Sequence, residues 1–133
     1  MKKKGRWEIY SGVANRIKRE GPRVTLNHRK VFLINMPAYE LLGRPAAVEL
    51  GYDENTRTIG LAPVDPRTLH AFPLKGKTNQ KKYNYRTIHA APFCKHHEIA
   101  PRRTMLFTEI DLDDEGTLLL ELKTAVAVGR GSR

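Results

Sequence analysis

The chain has 133 residues, of which 24 are Lys or Arg and 14 Asp or Glu, for a net charge of +10 and a hydrophobic fraction of 40%. That is enough for one ordinary domain but not for two independent ones, because units of about 45 residues rarely hold a core alone. One cysteine, Cys94, excludes an internal disulfide, and no apolar run is long enough to span a bilayer.

The opening "MKKKGRWEIYSG" has cations but no apolar stretch behind them, so no secretory signal is expected and the reading is a soluble, cytoplasmic protein. Residues 1–6 read as a basic tail, "WEIYSG" as a short edge strand and "NRIKREGPR" as a basic loop broken at Gly21-Pro22. "RVTLN" alternates, with Val24 and Leu26 on one face, and "KVFLIN" is dense enough for a buried strand; Asn27 to Lys30 is the turn between them. A two-turn helix follows in "NMPAYELLG", with Asn35 as N-cap, Pro37 in the first turn and Gly43 past the end. "AAVELGYDENTRTIGLAPV" gives two alternating strands around Asp53-Glu54-Asn55.

Residues 65–82 are the least patterned and read as a connector, long enough to be a covering strap or a functional strand. "KYNYRTIH" alternates as a strand. Pro92 then opens a second helical turn in "AAPFCKHHEIAPRR". "TMLFTEIDLDDEGTLLLELK" is a second hairpin, turning at Asp113-Asp114-Glu115-Gly116, and residues 129–133 read as a flexible tail.

The order strand, short helix, hairpin thus occurs twice, over 23–64 and 83–123. Placing Pro37 over Pro92 sets Phe32 over Thr87 and Tyr39 over Cys94, and one more turn-length of residues brings Asp53 over Asp113 in the hairpins. Charge repeats as well: residues 1–30 carry ten basic and two acidic side chains, 31–63 two and four, 64–103 nine and two, 104–133 three and six. Cations precede each helix and acids gather at each hairpin. The predicted fold is therefore a single compact domain, mostly β with short helices, built as two similar halves packed into a pseudo-dimer. Its basic segments would share one face, and a face of clustered cations suits a polyanion because binding releases counterions.

The stretch "VTLNHRKVFLINMPAYELLGRPAAVELGYDENTRTIGLAPV" resembles the swapped-hairpin, AbrB-like DNA-binding fold, with a fainter echo over 85–123. That resemblance implies two interleaved copies, here supplied by one chain, and DNA contacts from basic residues on one face. The family's arginine entering the helix is absent from "INMPAYELLG", and "RPAAVEL" lacks its glycine-aspartate pair, so contact residues do not carry over. "ELLGRPAAVELGYD" and "FCKHHEI" also resemble stretches of a group of small bacterial and phage-type proteins without assigned function.

Three cationic groups are the candidate nucleic-acid contacts: Arg16, Lys18, Arg19 and Arg23; Lys75, Lys77, Lys81 and Lys82 with Tyr83 and Tyr85; and Arg102 with Arg103. Lysines hold phosphates as point charges and tyrosines stack on unpaired bases. "KGKT" ends like a phosphate loop but lacks the earlier glycine. His89, Cys94, His96, His97 and Glu98 include thiolate and imidazole donors at short spacing, yet lack the second close ligand pair of a zinc site, so packing is the expected role of Cys94 and no metal or cofactor is expected. The expected function is a non-enzymatic nucleic-acid-binding protein, DNA rather than RNA, acting as a regulator or accessory factor. Its alternatives are a module for a protein partner in a bacterial or phage complex and a small metal- or cysteine-dependent enzyme.

Overall fold

A computed structural model describes residues 21–79 and 83–128, with the backbone alone for 77–79, 83 and 84. The predicted strand at "WEIYSG", the candidates Arg16, Lys18, Arg19, Lys81 and Lys82, and both terminal tails lie outside the described residues.

The elements run β1 (Val24–Leu26), β2 (Val31–Asn35), α1 (Met36–Leu41), β3 (Ala47–Asp53), β4 (Thr58–Val64), β5 (Phe72–Pro73), β6 (Lys75–Asn79), β7 (Tyr83–His89), α2 (Ala91–His96), β8 (Met105–Leu106), β9 (Ile110–Leu112), β10 (Leu118–Glu121) and β11 (Val126–Ala127). The chain is mostly β with two short helices, as its alternation and paired prolines predict. The stretch read as a connector contributes β5 and β6, each an outer strand of its sheet.

Two antiparallel sheets form. One has the order β11-β8-β1-β2-β7-β6, the other β5-β3-β4-β10-β9. Alternate side chains of both meet in one core: Val24, Leu26, Phe32, Ile34 and Ile88 from the first sheet, and Val48, Ile59, Leu61, Leu118 and Leu120 from the second, are all fully buried. Phe107, leaving β8, stacks on Phe32 with ring centroids 6.3 Å apart. No described helix is long and apolar enough to cross a membrane.

Local chemistry sets the punctuation. Asn35 Oδ1 accepts from Ala38 N at 3.0 Å, closing the start of α1, and also from Arg23 N at 2.9 Å, while Asn35 Nδ2 donates to the Gly21 carbonyl at 3.0 Å. One side chain therefore caps the helix and ties down the entry to β1. Both helices end alike. After α1, Gly43 N donates to Glu40 O and Arg44 N to Tyr39 O; after α2, Glu98 N donates to Lys95 O and Ile99 N to Cys94 O. These are paired Schellman bonds, with the left-handed residue Gly43 in the first case and Glu98 in the second.

The two acidic hairpins are also built alike. Asp53 Oδ1 accepts from Asn55 N at 2.9 Å, and Asp113 Oδ1 from Glu115 N at 2.9 Å. The acids at both tips thus shape their own turns.

Candidate nucleic-acid interface

Directly opposite residues of antiparallel strands share a face. Asn35 N donates to Arg23 O, Asn35 pairs with Tyr85, and Tyr85 pairs with Lys77. Arg23, Asn35, Tyr85 and Lys77 therefore form one row across four strands, about 14 Å wide at the usual strand spacing. The adjacent row on the same face runs Val126, Leu106, Thr25, Leu33, Thr87 and Lys75. This face is the outer one, since the alternating residues Val24, Ile34 and Ile88 point into the core. Arg23 and Lys75 are exposed and Tyr85 is half-buried. Thr87, though buried, donates through its hydroxyl to the Lys75 carbonyl at 3.4 Å.

The structure brings together members of two of the three predicted groups and separates the third. β8 runs antiparallel to β1 with Met105 opposite Leu26. Arg102 and Arg103, both exposed, therefore enter beside the Asn27–Lys30 turn, at the far end of β1 from Arg23. That turn carries exposed His28 and Arg29, so a second cationic cluster gathers there. Tyr83 lies on β7, two residues before Tyr85.

The described strands of the first sheet contain Lys75, Lys77 and Arg86 but no Asp or Glu. Those of the second contain Glu49, Asp53, Asp111 and Glu121 but no Lys or Arg. Arg86, which sequence reasoning did not single out, belongs to the inner row with Gly76 and Ile34. Its guanidinium lies 4.5 Å from the centre of the Tyr39 ring. A cation over an aromatic face in this partly buried setting holds α1 against the sheet. Gly76 lies against the guanidinium, and a Cβ there would make an ordinary contact, 3.5 Å from Arg86 Cζ.

The histidine and cysteine stretch packs rather than converges. Cys94 is fully buried, and burial pushes its thiol up from the ordinary range against the weaker pull of Lys30. His97 sits with its ring 4.9 Å from Phe93 and 5.0 Å from Tyr52. Among the described residues no three His, Cys, Asp or Glu side chains are placed to hold a metal ion.

No family model matches the chain, and no curated protein or solved structure is similar to it.

Proposed function

We propose that this is a non-enzymatic DNA-binding protein, built as an internal pseudo-dimer of the swapped-hairpin kind, serving as a small regulator or accessory factor in a nucleoprotein assembly. The observation that carries the reading is the row Arg23–Asn35–Tyr85–Lys77, flanked by Lys75, on a sheet whose described strands hold no acid. An anionic backbone laid on that face meets cations with no carboxylate from the described strands to repel it.

The pairing of strands supports the pseudo-dimer. Without β5, β8 and β11, the sheets read β1-β2-β7-β6 and β3-β4-β10-β9. Each runs in mirrored order about the junction, the second sheet with two strands from each half and the first with β6, from the stretch read as a connector, in the place that mirrors β1. The halves join at β2–β7 and β4–β10, and the pairing of Leu33 with Thr87 and of Gly60 with Leu119 puts each junction near its middle. Interleaved halves explain how one chain forms a four-strand-wide basic row from two separated segments.

The test is a titration of duplex DNA at rising salt. With three to five phosphate contacts, log affinity falls against log salt with a slope of about −3 to −4.5. A flat dependence refutes the electrostatic interface. A second reading, a docking face for a protein partner, is favoured by Leu33 and Val126, which are 38% and 45% exposed on that same face. Capture of a partner that survives nuclease digestion and is lost in Leu33→Lys would support it over the first.

A further inference from the structure

Where α2 and the β3–β4 turn approach the β10–β11 connection, the two sheets leave a cleft of about 340 Å³ lined by Tyr52, Arg57, Glu98, Ile99, Met105 and Leu122, among others. Ile99 is buried, and Tyr52 and Leu122 pack against the core, so the floor is apolar. Arg57 and Glu98 are exposed charges of opposite sign on the same cleft, yet they form no ion pair. Neither side chain has a hydrogen-bonding partner among the described residues. The volume is at the lower end of small-molecule sites.

Both charges occupy positions where a glycine is expected. Glu98 is the left-handed residue of the Schellman motif after α2, with φ 58°, and the same position after α1 is Gly43, with φ 88°. Arg57 closes the four-residue turn of the first hairpin, with φ 53°, and Gly116 closes the shorter, three-residue turn of the second, with φ 84°. The left-handed region is unfavourable for any residue with a Cβ. In the Schellman pair the copy bordering the cleft has a charged residue where the other has glycine, and the hairpin turn bordering the cleft likewise closes on a charged residue while the shorter turn closes on glycine. Left-handed charged residues also occur away from the cleft, at Lys30 and Arg44; what sets Arg57 and Glu98 apart is that both border the same cleft. The Arg57 carbonyl also accepts from Leu122 N at 2.8 Å, one step beyond the Thr58–Glu121 pair, which ties the turn to the end of β10.

We infer that this cleft binds a single unpaired nucleotide, with the base on the apolar floor, its amino edge donating to Glu98 and its phosphate on Arg57. A flat ring suits walls of Ile, Met and Leu. A carboxylate accepts from an exocyclic amine, and a guanidinium pairs with a phosphate in fork geometry. Arg102 and Arg103 are exposed in the segment between Glu98 and Met105, both of which line the cleft. The choice of a nucleotide over other anions rests on the nucleic-acid reading above; the cleft and its unpaired charges do not.

The experiment titrates 5′-AMP, CMP and UMP into the full chain and follows the amide resonances of Ile99, Met105 and Leu122. Saturable shifts are expected, with AMP and CMP binding more tightly than UMP. Arg57→Gly should weaken binding about ten-fold while leaving the thermal midpoint equal or higher, because it relieves a left-handed arginine. Glu98→Gln should erase the preference for amino-bearing bases. Absence of saturation at millimolar nucleotide overturns the inference, as does inorganic phosphate binding as tightly as AMP. The Arg23→Glu, Lys75→Glu variant separates the two proposals. If it loses duplex DNA and keeps AMP, both stand; if duplex binding ignores these changes and AMP still saturates, the sheet interface fails and the cleft survives.

Discussion

The two sheets share one core and differ almost completely outside it. The outer face of the first is basic with two exposed apolar residues, Leu33 and Val126. The outer face of the second carries Glu49, Asp53, Asp111 and Glu121, with Gly51 paired to Gly60 across its middle. Alternation keeps the inner positions largely apolar, Arg86 over the Tyr39 ring being an exception, so the charge of each sheet collects at its outer positions. A molecule divided in this way presents a polyanion with one attractive side and one repulsive side, and orientation on the ligand follows from charge before any specific contact forms. The same division disfavours self-neutralisation: the ion pairs among the described residues, Glu40–Arg44 and Asp65–Arg67, are local and exposed.

The most disruptive way to probe the division is to attack what both sheets share. Phe32 is fully buried from the first sheet and stacks on Phe107. Phe32→Ala should cost about 3–5 kcal/mol. Urea unfolding followed by far-UV circular dichroism should show one transition moving to lower denaturant. Two separated transitions would mean that the sheets are independent units.

Next in size is Asn35→Ala, which removes the acceptor for Ala38 N and Arg23 N and the donor to Gly21 O. Loss of the helix cap alone costs about 1 kcal/mol, and the additional bonds at an exposed site raise that to about 2 kcal/mol. The change also frees the backbone of Arg23, so DNA affinity should fall more than the charge-neutral substitution implies. Asn35→Asp, which keeps the acceptor and adds a negative charge to the basic row, should preserve most of the stability while weakening DNA. Equal stability losses in the two variants would show that Asn35 acts through something other than its acceptor.

Charge reversal tests the two faces against each other. Arg23→Glu with Lys75→Glu should lower affinity for duplex DNA about ten-fold or more, equivalent to about 1.4 kcal/mol, and flatten its salt dependence. Asp111→Lys with Glu121→Lys on the opposite sheet should leave it unchanged or slightly raised. A comparable loss from both pairs would mean that the bound nucleic acid does not distinguish the faces.

The parts of this architecture visible in the sequence are the local ones. Asn35 with Pro37 and Gly43 marks α1 because capping, first-turn proline and a left-handed terminator act within a few residues. Asp113 and Gly116 mark the second hairpin for the same reason. The register of β2 on β7, which creates the basic row, joins residues fifty or more positions apart and depends on which apolar sets meet in the core. Nothing near Arg23 in the chain signals that it will share a row with Lys77, nor that Arg102 and Arg103 will enter at the other end of β1. β8 and β11 are two residues each, too short for alternation to register. The cleft was hidden because Arg57 and Glu98 belong to different motifs. Comparing the halves residue by residue could have revealed it, since Glu98 aligns with Gly43 when Pro37 is set over Pro92.

The smallest effect concerns how far the basic sheet's field reaches inward. Lys30, in the turn between β1 and β2, favours the Cys94 thiolate, but burial opposes it and prevails, so the thiol is held above its ordinary range. A raised folded-state value means that the unfolded chain gives up this proton first as pH climbs. Stability is therefore fully present below the unfolded thiol's pKa of about 8.5 and declines as pH rises toward the folded value. Because Cys94 has no exposed surface, a disulfide reagent at pH 8 should label it only through opening of the chain, and labelling should accelerate in Phe32→Ala about ten-fold for each 1.4 kcal/mol of stability lost. Chemical denaturation at pH 7 and pH 9.5 should show a shallow loss that Cys94→Ala reduces. Rapid labelling of the native chain at pH 8 would show instead that Lys30 outweighs burial and that the cationic sheet polarises the core beneath it.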